Sequence, residues 1–102
     1  MTRPLALVTG AGRRIGRTIA LHLAAQGYDL ALHCHRSRDE AEEVRALAAG
    51  LGAAAQVHAA DLSDEAQVKA LMADVVASQG VPFAVVNNAS LFEYDSVADF
   101  SY

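Results

Sequence analysis

The stretch VTGAGRRIG, residues 8–16, places three glycines and two arginines directly after an apolar run. That run, LALVT at residues 5–9, is typical of a buried parallel strand. Apolar residues recur at three- and four-residue spacing from residue 14 to residue 25, which predicts a helix that ends at Gly27. The stretch therefore predicts a turn between a strand and a helix, and this turn decides the fold class.

A glycine-rich loop in this position favours an anionic ligand. Glycines let backbone N–H groups approach a phosphate closely, and the N-terminus of the following helix adds its dipole. The three glycines are spaced G-x-G-x-x-x-G, one residue longer than the common dinucleotide fingerprint. We expect a dinucleotide at Gly10, Gly12, Arg14, Ile15 and Gly16. The alternative is that the loop is an ordinary tight turn.

Downstream of this loop, short apolar runs alternate with longer amphipathic segments. The further predicted strands are residues 28–34, 54–60 and 83–87, and the further predicted helices lie in residues 38–49 and 61–80. Ser63 is the predicted N-cap of the last helix, and Gly80 is its predicted end. Strands that alternate with helices predict an α/β fold, a Rossmann-like doubly wound parallel sheet.

Length, charge and hydropathy exclude several classes of protein. A chain of 102 residues is long enough for one small domain, and its net charge of -4 argues against a nucleic-acid partner. No apolar run approaches the ~18 residues that cross a bilayer, and the N-terminus does not resemble a signal peptide. We therefore expect a cytoplasmic protein without a membrane partner.

A cluster of possible metal ligands follows the second predicted strand's apolar core. His33 and His35 share one face of that strand, whereas Cys34, the single cysteine, points to the other. A structural zinc site needs four ligands, and no second pair follows at a suitable spacing. The sequence therefore predicts no metal site.

The end of the second strand distinguishes the two nicotinamide dinucleotides. NAD-binding domains place an acid about 20 residues after the glycine loop, whereas a basic residue there suits the 2′-phosphate of NADP. Arg36 occupies this position, while Asp29 and Asp39 lie at the strand's start and in the next helix. Arg14 in the glycine loop is a second candidate for the same phosphate. The alternative is that both arginines are solvated surface charges.

Three motifs together resemble the short-chain dehydrogenases and reductases. TGAGRRIG at residues 9–16 is similar to the family's T-G-x-x-x-G-x-G signature, with Arg14 in place of the middle glycine. NNAS at residues 87–90 resembles N-N-A-G, and ADL at residues 60–62 resembles the acidic turn after the third strand. The loop arginine, HRS at residues 35–37 and the phenylalanine after NNAS resemble the pteridine-reductase branch.

The resemblance implies a role for each matching residue. Thr9 and Asn87 would brace the loop and the central strands, and Phe92 would stack on a pterin substrate; the alternative for Phe92 is a core aromatic. The implied NADP(H) contacts are the loop residues above, with Arg14, His35, Arg36 and Ser37 at the 2′-phosphate, Asp61 and Leu62 at the adenine, and Asn88, Ala89 and Ser90 at the ribose and nicotinamide.

The family's catalytic pair, a tyrosine followed four residues later by a lysine, has no counterpart in this sequence. Its one lysine is Lys69, and Glu65 stands four residues earlier, so we expect no catalytic residue and no activity from these residues alone. The resemblance implies that residues 1–102 are the NADP-binding N-terminal portion of a single Rossmann domain, with strand order 3-2-1-4.

The expected function is that of an NADPH-dependent reductase whose small-molecule substrate is a pteridine, a dihydrofolate or another carbonyl or imine compound. The resemblance implies a homo-oligomer for the full-length form. The alternatives are a non-catalytic module that binds NADP(H) and an inactive fragment.

Overall fold

The computed structural model describes residues 3–88, in which strands and helices alternate along the chain. The elements are β1 (Leu5–Val8), α1 (Arg14–Ala25), β2 (Asp29–Cys34), α2 (Arg38–Gly50), β3 (Ala55–Ala59), α3 (Glu65–Ser78) and β4 (Ala84–Val86). The observed strands are shorter than predicted by one or two residues, because the regular ladder stops before the apolar runs do. Among residues 3–88, none of the helices combines the length and the hydropathy that a membrane span requires.

The four strands form one parallel sheet in the order β3-β2-β1-β4, as predicted. β1 is central, and Leu7 is in register with Ala31 of β2 on one side and with Val85 of β4 on the other. All four residues of β1 are buried, which is why its sequence is apolar without alternation. The carboxyl ends of β1, β2 and β3 therefore lie along the same edge of the sheet.

The helices cover the two faces of the sheet unequally. On the first face, β1 and β2 pack Val8 and Leu32 with Ala20 of α1 and Val44 of α2. The second face packs against α3, and its buried cluster contains Leu5, Leu7, Ala31, Ala60, Leu71 and Val75. Two successive crossovers on one face and a third on the other face are the pattern of a doubly wound fold.

The start of α3 corrects one prediction. The N-cap is Asp64 rather than Ser63, because the Asp64 carboxylate accepts hydrogen bonds from the N–H groups of Ala66 (2.9 Å) and Gln67 (3.3 Å). The Ser63 hydroxyl instead donates to Asp61 Oδ1 at 2.7 Å. Both residue types cap helices well, so the sequence alone could not separate two neighbouring candidates.

The ends of the helices follow the glycines. Gly27 and Gly80 have φ of +105° and +106°, and each lies directly after the residue that closes a helix. A left-handed residue at this point lets the chain leave the helix without the cost that a Cβ would impose. Both predicted helix ends are confirmed.

Candidate dinucleotide-binding site

The loop between β1 and α1 is held by its backbone. Gly10 has φ of +62°, and its N–H donates to Nδ1 of His33 at 3.1 Å. The N–H of Ala11 donates to the carbonyl of His33 at 2.8 Å, and the N–H of Arg13 donates back to the carbonyl of Gly10 at 3.2 Å. The left-handed conformation explains why residue 10 is glycine.

The other two glycines of the loop are required by close packing. A Cβ on Gly16 would collide with the carbonyl oxygen of Gly10 and approach Nδ2 of Asn88 to 2.7 Å. A Cβ on Gly12 would lie 3.0 Å from the carbonyl oxygen of Ser37 and 3.0 Å from the nitrogen of Ala41, at the start of α2. The glycines therefore bring the loop, α1 and α2 together at the carboxyl edge of the sheet.

The start of α1 carries unsatisfied hydrogen-bond donors. Within residues 3–88, the N–H groups of Gly12, Arg14, Ile15 and Gly16 donate to no acceptor. Arg13 is the N-cap residue but provides no capping hydrogen bond from its side chain, and the first turn holds no acid. Open donors at the positive end of a helix dipole suit an anion, so the residues present fit the phosphates of a dinucleotide.

A polar cluster joins the loop to the end of β4. The Thr9 hydroxyl donates to Oδ1 of Asn87 (3.1 Å) and accepts from the N–H of Asn88 (2.8 Å). Nδ2 of Asn88 donates to the carbonyl of Gly10 at 3.3 Å. These bonds connect β4 with the loop, which agrees with the bracing role that the motif predicts for Thr9 and Asn87.

The basic side chains divide into two groups. In the part of the chain that the structure describes, Arg13, Arg14 and Arg36 make no ion pair, and all three are exposed. The other described arginines and the lysine each pair with a carboxylate: Arg3 with Asp29, Arg17 with Glu43, Arg38 and Arg45 with Glu42, and Lys69 with Glu65. The unpaired arginines therefore belong to the glycine loop and to the segment that follows β2.

The segments that follow β2 and β3 lie next to each other. Nε2 of His35 is 3.9 Å from Oδ2 of Asp61, and Asp61 Oδ1 accepts from the N–H and the hydroxyl of Ser63 at 2.9 and 2.7 Å. The bonds from Ser63, aided by the charges of His35 and Arg36, hold the pKa of Asp61 below its usual value. Asp61 is therefore an anion at neutral pH, with its Oδ1 already engaged.

The structure brings most of the predicted site residues to one edge of the sheet. Gly10, Gly12, Arg14, Ile15 and Gly16 lie in the loop and first turn of α1, His35, Arg36 and Ser37 follow β2, Asp61 and Leu62 follow β3, and Asn88 follows β4. Leu62 is partly buried against the cluster beneath α3. Ala89, Ser90 and Phe92 lie outside the described residues.

One residue of this edge was missed by the sequence-based reasoning. His33 is 2% exposed and lies against the glycine loop, whereas its sequence context raised it only as a possible metal ligand on one face of a strand. Its Nε2 lies 2.8 Å from the carbonyl oxygen of Ala60, directly after β3. Among the described residues, no group of three or more histidines, cysteines and acids could hold a metal ion.

The comparison with protein families gives one match over nearly the whole chain. The family model described as short chain dehydrogenase matches residues 4–101. A Staphylococcus aureus protein named 3-oxoacyl-(acyl-carrier-protein) reductase FabG is 41% identical over 86 residues, which are 84% of this chain and 35% of that protein. The chain thus spans about a third of the length of this curated relative.

Solved structures give the same answer for the fold. A Sinorhizobium meliloti protein described as a short-chain dehydrogenase/reductase matches with a TM-score of 0.81 and 38% identity, over 97% of this chain and 43% of that one. A Burkholderia cenocepacia protein described as a dehydrogenase, solved with bound NADP, matches with a TM-score of 0.80 and 30% identity, over 84% of this chain and 34% of that one. With the glycine loop, the sheet order and these matches together, the chain belongs to the short-chain dehydrogenase family.

Proposed function

We propose that this chain is the NADP(H)-binding portion of an oxidoreductase that reduces a carbonyl or imine compound. The observation that carries the proposal concerns residues 3–88: N–H donors without an acceptor at the start of α1 and arginines without an ion pair lie at the same edge of the sheet. Donors and charges left without protein partners are typical of a site built for a multiply charged ligand.

Each part of the edge then receives one part of the cofactor. The open N–H groups of the loop and of Ile15 and Gly16 bind the pyrophosphate, because they lie at the positive end of α1. Arg14, His35, Arg36 and Ser37 bind the 2′-phosphate, and Asp61 and Leu62 contact the adenine. The remaining contacts, to the ribose and nicotinamide, come from Asn88, Ala89 and Ser90.

The bound cofactor supplies a hydride, and the described residues supply binding and orientation. Thr9 and Asn88 fix the distance between the loop and the end of β4 by their hydrogen bonds, so the two ends of an extended dinucleotide meet a rigid edge. The exposed guanidinium groups of Arg14 and Arg36 add the charge that discriminates a 2′-phosphate from a hydroxyl. Proton donation to the substrate belongs to residues other than those described.

The substrate class within this proposal is a carbonyl or imine compound. A pteridine or dihydrofolate is the finer proposal, because Arg14 in the loop and Phe92 after NNAS match that branch of the family. The name of the Staphylococcus aureus relative suggests a 3-oxoacyl thioester as the second candidate. Competition for the complete reductase between dihydrobiopterin and an acetoacetyl thioester separates the two.

The direct test of cofactor preference is Arg36→Ala, measured by calorimetric titration with NADPH and with NADH. Loss of a charge-assisted bond to the 2′-phosphate weakens NADPH binding by about tenfold or more, while NADH binding stays within about twofold. Arg38→Ala is the matched control, because Arg38 lies two residues later and pairs with Glu42. We expect Arg38→Ala to leave the affinities for NADPH and for NADH unchanged.

Equal losses for NADPH and NADH in Arg36→Ala would contradict the assignment of the 2′-phosphate site. Failure of the unaltered chain to bind either nucleotide would contradict the proposed function as a whole. Preference for NADH in the unaltered chain would contradict the choice of NADP(H) but leave the pyrophosphate site standing.

A further inference from the structure

His33 joins three segments of the site through one buried side chain. It lies in β2, its Nδ1 accepts from the N–H of Gly10 (3.1 Å), and its Nε2 contacts the carbonyl of Ala60 (2.8 Å). The imidazole therefore spans from the glycine loop to the residue that precedes Asp61. Both ring nitrogens are engaged with the backbone of segments to which we assign nucleotide contacts.

These two partners define the protonation state of the ring. A backbone N–H is a donor, so Nδ1 must carry a lone pair, and a backbone carbonyl is an acceptor, so Nε2 must carry the hydrogen. Only the neutral tautomer with hydrogen on Nε2 satisfies both partners. A charged imidazolium would place its Nδ1–H against the N–H of Gly10, and two donors would face each other.

Residue 33 also controls consecutive amides of the loop. Its side chain holds the N–H of Gly10, and its carbonyl oxygen accepts from the N–H of Ala11. With these two amides directed into the protein, the next amide, that of Gly12, has no acceptor within residues 3–88, and neither do those at the start of α1. The division between inward and open donors is thus set at His33.

We propose that neutral His33 is the positioning residue of the glycine loop: it fixes Gly10 so that the open N–H groups of Gly12 and α1 face a dinucleotide phosphate, and its protonation releases the loop. The inference rests on the function proposed above and adds to it a residue that touches no part of the nucleotide. It also makes dinucleotide affinity depend on pH.

The surroundings of His33 favour the neutral ring. Burial lowers the pKa of His33 below the ordinary 6.5, and the nearby His35 and His58 lower it further, against the opposing effect of the bond to Ala60. His58 is its register partner in β3, and His35 lies directly after the last residue of β2. The buried cluster beneath α3, to which β1 and α3 contribute, consists of apolar side chains.

The sign of the pH effect follows from the lowered pKa of His33. A histidine with a lowered pKa in the folded state binds a proton more readily when the loop is released. The ordered loop therefore has its full stability at pH values above 6.5, the ordinary pKa of histidine, and it loses stability as the pH falls below that value. NADP⁺ affinity falls with the pH in the same window.

A matched pair of substitutions separates the two bonds of the ring. The side-chain oxygen in His33→Asn takes the place of Nδ1 and accepts from Gly10, whereas the amide nitrogen in His33→Gln takes the place of Nε2 and donates to Ala60. Each variant loses one buried hydrogen bond, so we expect the two variants to have similar free energies of unfolding. We expect His33→Gln to lose about tenfold or more in NADP⁺ affinity and His33→Asn to stay near the unaltered chain.

The titrations use NADP⁺ with the 102-residue chain, and nitrogen-15 NMR of the same chain without nucleotide supplies an independent readout. We expect a scalar coupling across the hydrogen bond between Gly10 N and His33 Nδ1, and its loss on acidification. It also predicts that the Gly12 and Gly16 amide resonances move in His33→Gln and stay in His33→Asn. The fall of affinity with the pH disappears in His33→Asn.

The outcomes distinguish this inference from the proposed function. If the unaltered chain binds NADP⁺ and the two variants bind it equally well, the positioning role is overturned. The positioning role is also overturned, without any nucleotide, if the scalar coupling is absent or if the loop amide resonances shift equally in both variants. If the unaltered chain binds no NADP⁺ while the coupling and the loop shifts appear as expected, the proposed function fails and the role of His33 in ordering the loop stands.

Discussion

The N-termini of α1 and α3 are two solutions to the same physical problem. Both follow parallel strands at one edge of the sheet, and both leave backbone N–H groups without helical partners. At α3 the Asp64 carboxylate accepts from two of these groups and Glu65 adds a favourable charge. At α1 the cap residue is Arg13, its side chain makes no capping bond, and no acid lies in the first turn.

The difference indicates which helix end serves binding. A capped terminus gains about 1 kcal/mol of helix stability, and an uncapped terminus forgoes it and retains its positive potential. The neighbouring charges follow the same division, because Lys69 of α3 pairs with Glu65 whereas Arg14 of α1 makes no ion pair within residues 3–88. We interpret the N-terminus of α3 as structural and the N-terminus of α1 as an anion-binding site.

The largest effect is expected from closing the space between α1 and its loop. In Gly16→Ala the new Cβ collides with the carbonyl of Gly10, so the start of α1 shifts and its donors lose their common direction. We expect about 1–3 kcal/mol lower stability by urea denaturation and about 100-fold weaker NADPH binding by fluorescence titration. Gly50→Ala is the control, because a Cβ there meets no atom within 4 Å.

If Gly16→Ala binds NADPH as the unaltered chain does, the donors of α1 are not the site. If Gly50→Ala fails in the same way as Gly16→Ala, the loss reflects a general loss of helix and carries no information about the loop.

The next effect converts α1 into a helix like α3. Arg13→Asp places a carboxylate where it caps the N–H groups of Ile15 and Gly16, so the helix gains up to about 1 kcal/mol. The same carboxylate occupies the donors and repels a phosphate, and NADPH affinity falls by about tenfold or more. Thermal unfolding and NADPH titration measure the two changes, which have opposite signs.

Arg13→Asn is the matched control for the charge. It caps the same donors without a negative charge, so its NADPH affinity lies between that of the unaltered chain and that of Arg13→Asp. A stabilised Arg13→Asp that keeps full affinity would show that the open end of α1 is not used.

The smallest effect on binding is expected at α3. Asp64→Ala removes the hydrogen bonds to Ala66 and Gln67 and lowers the free energy of unfolding by about 1 kcal/mol. NADPH affinity does not change, because the start of α3 is assigned no contact with the nucleotide. If Asp64→Ala loses more NADPH affinity than its lower stability explains, the start of α3 takes part in binding. The distinction between a structural and a binding helix terminus would then be wrong.

Much of the fold was predictable because local patterns and topology agree. The limits of α1 match the predicted helix, and Gly27 and Gly80 close their helices as expected, since a glycine after the last turn has a single favourable role. The N-cap of α3 was placed one residue early, because Ser63 and Asp64 are both good caps and only the structure shows that Ser63 bonds to Asp61. The strand limits depend on ladder partners that are distant in sequence.

The site was predictable where it depends on a contiguous motif. The spacing of the glycines predicts the loop. Within residues 3–88 Arg14 and Arg36 make no ion pair, which agrees with their predicted use, although ion pairing cannot be read from the sequence. His33 was not found, because alternation along β2 gives a face but not a partner. Its bonds join Gly10, 23 residues earlier, to Ala60, 27 residues later, and only the folded sheet brings these together.

The most direct test of the central claim is a nitrogen-15 NMR titration of the chain with NADP⁺, which reads every amide at once. We expect saturable shifts at Gly12, Arg14, Ile15 and Gly16, and no comparable shifts at Ala66 and Gln67, whose N–H groups already donate to Asp64. Saturable shifts at the start of α3 but not of α1, or none at either helix, would contradict it.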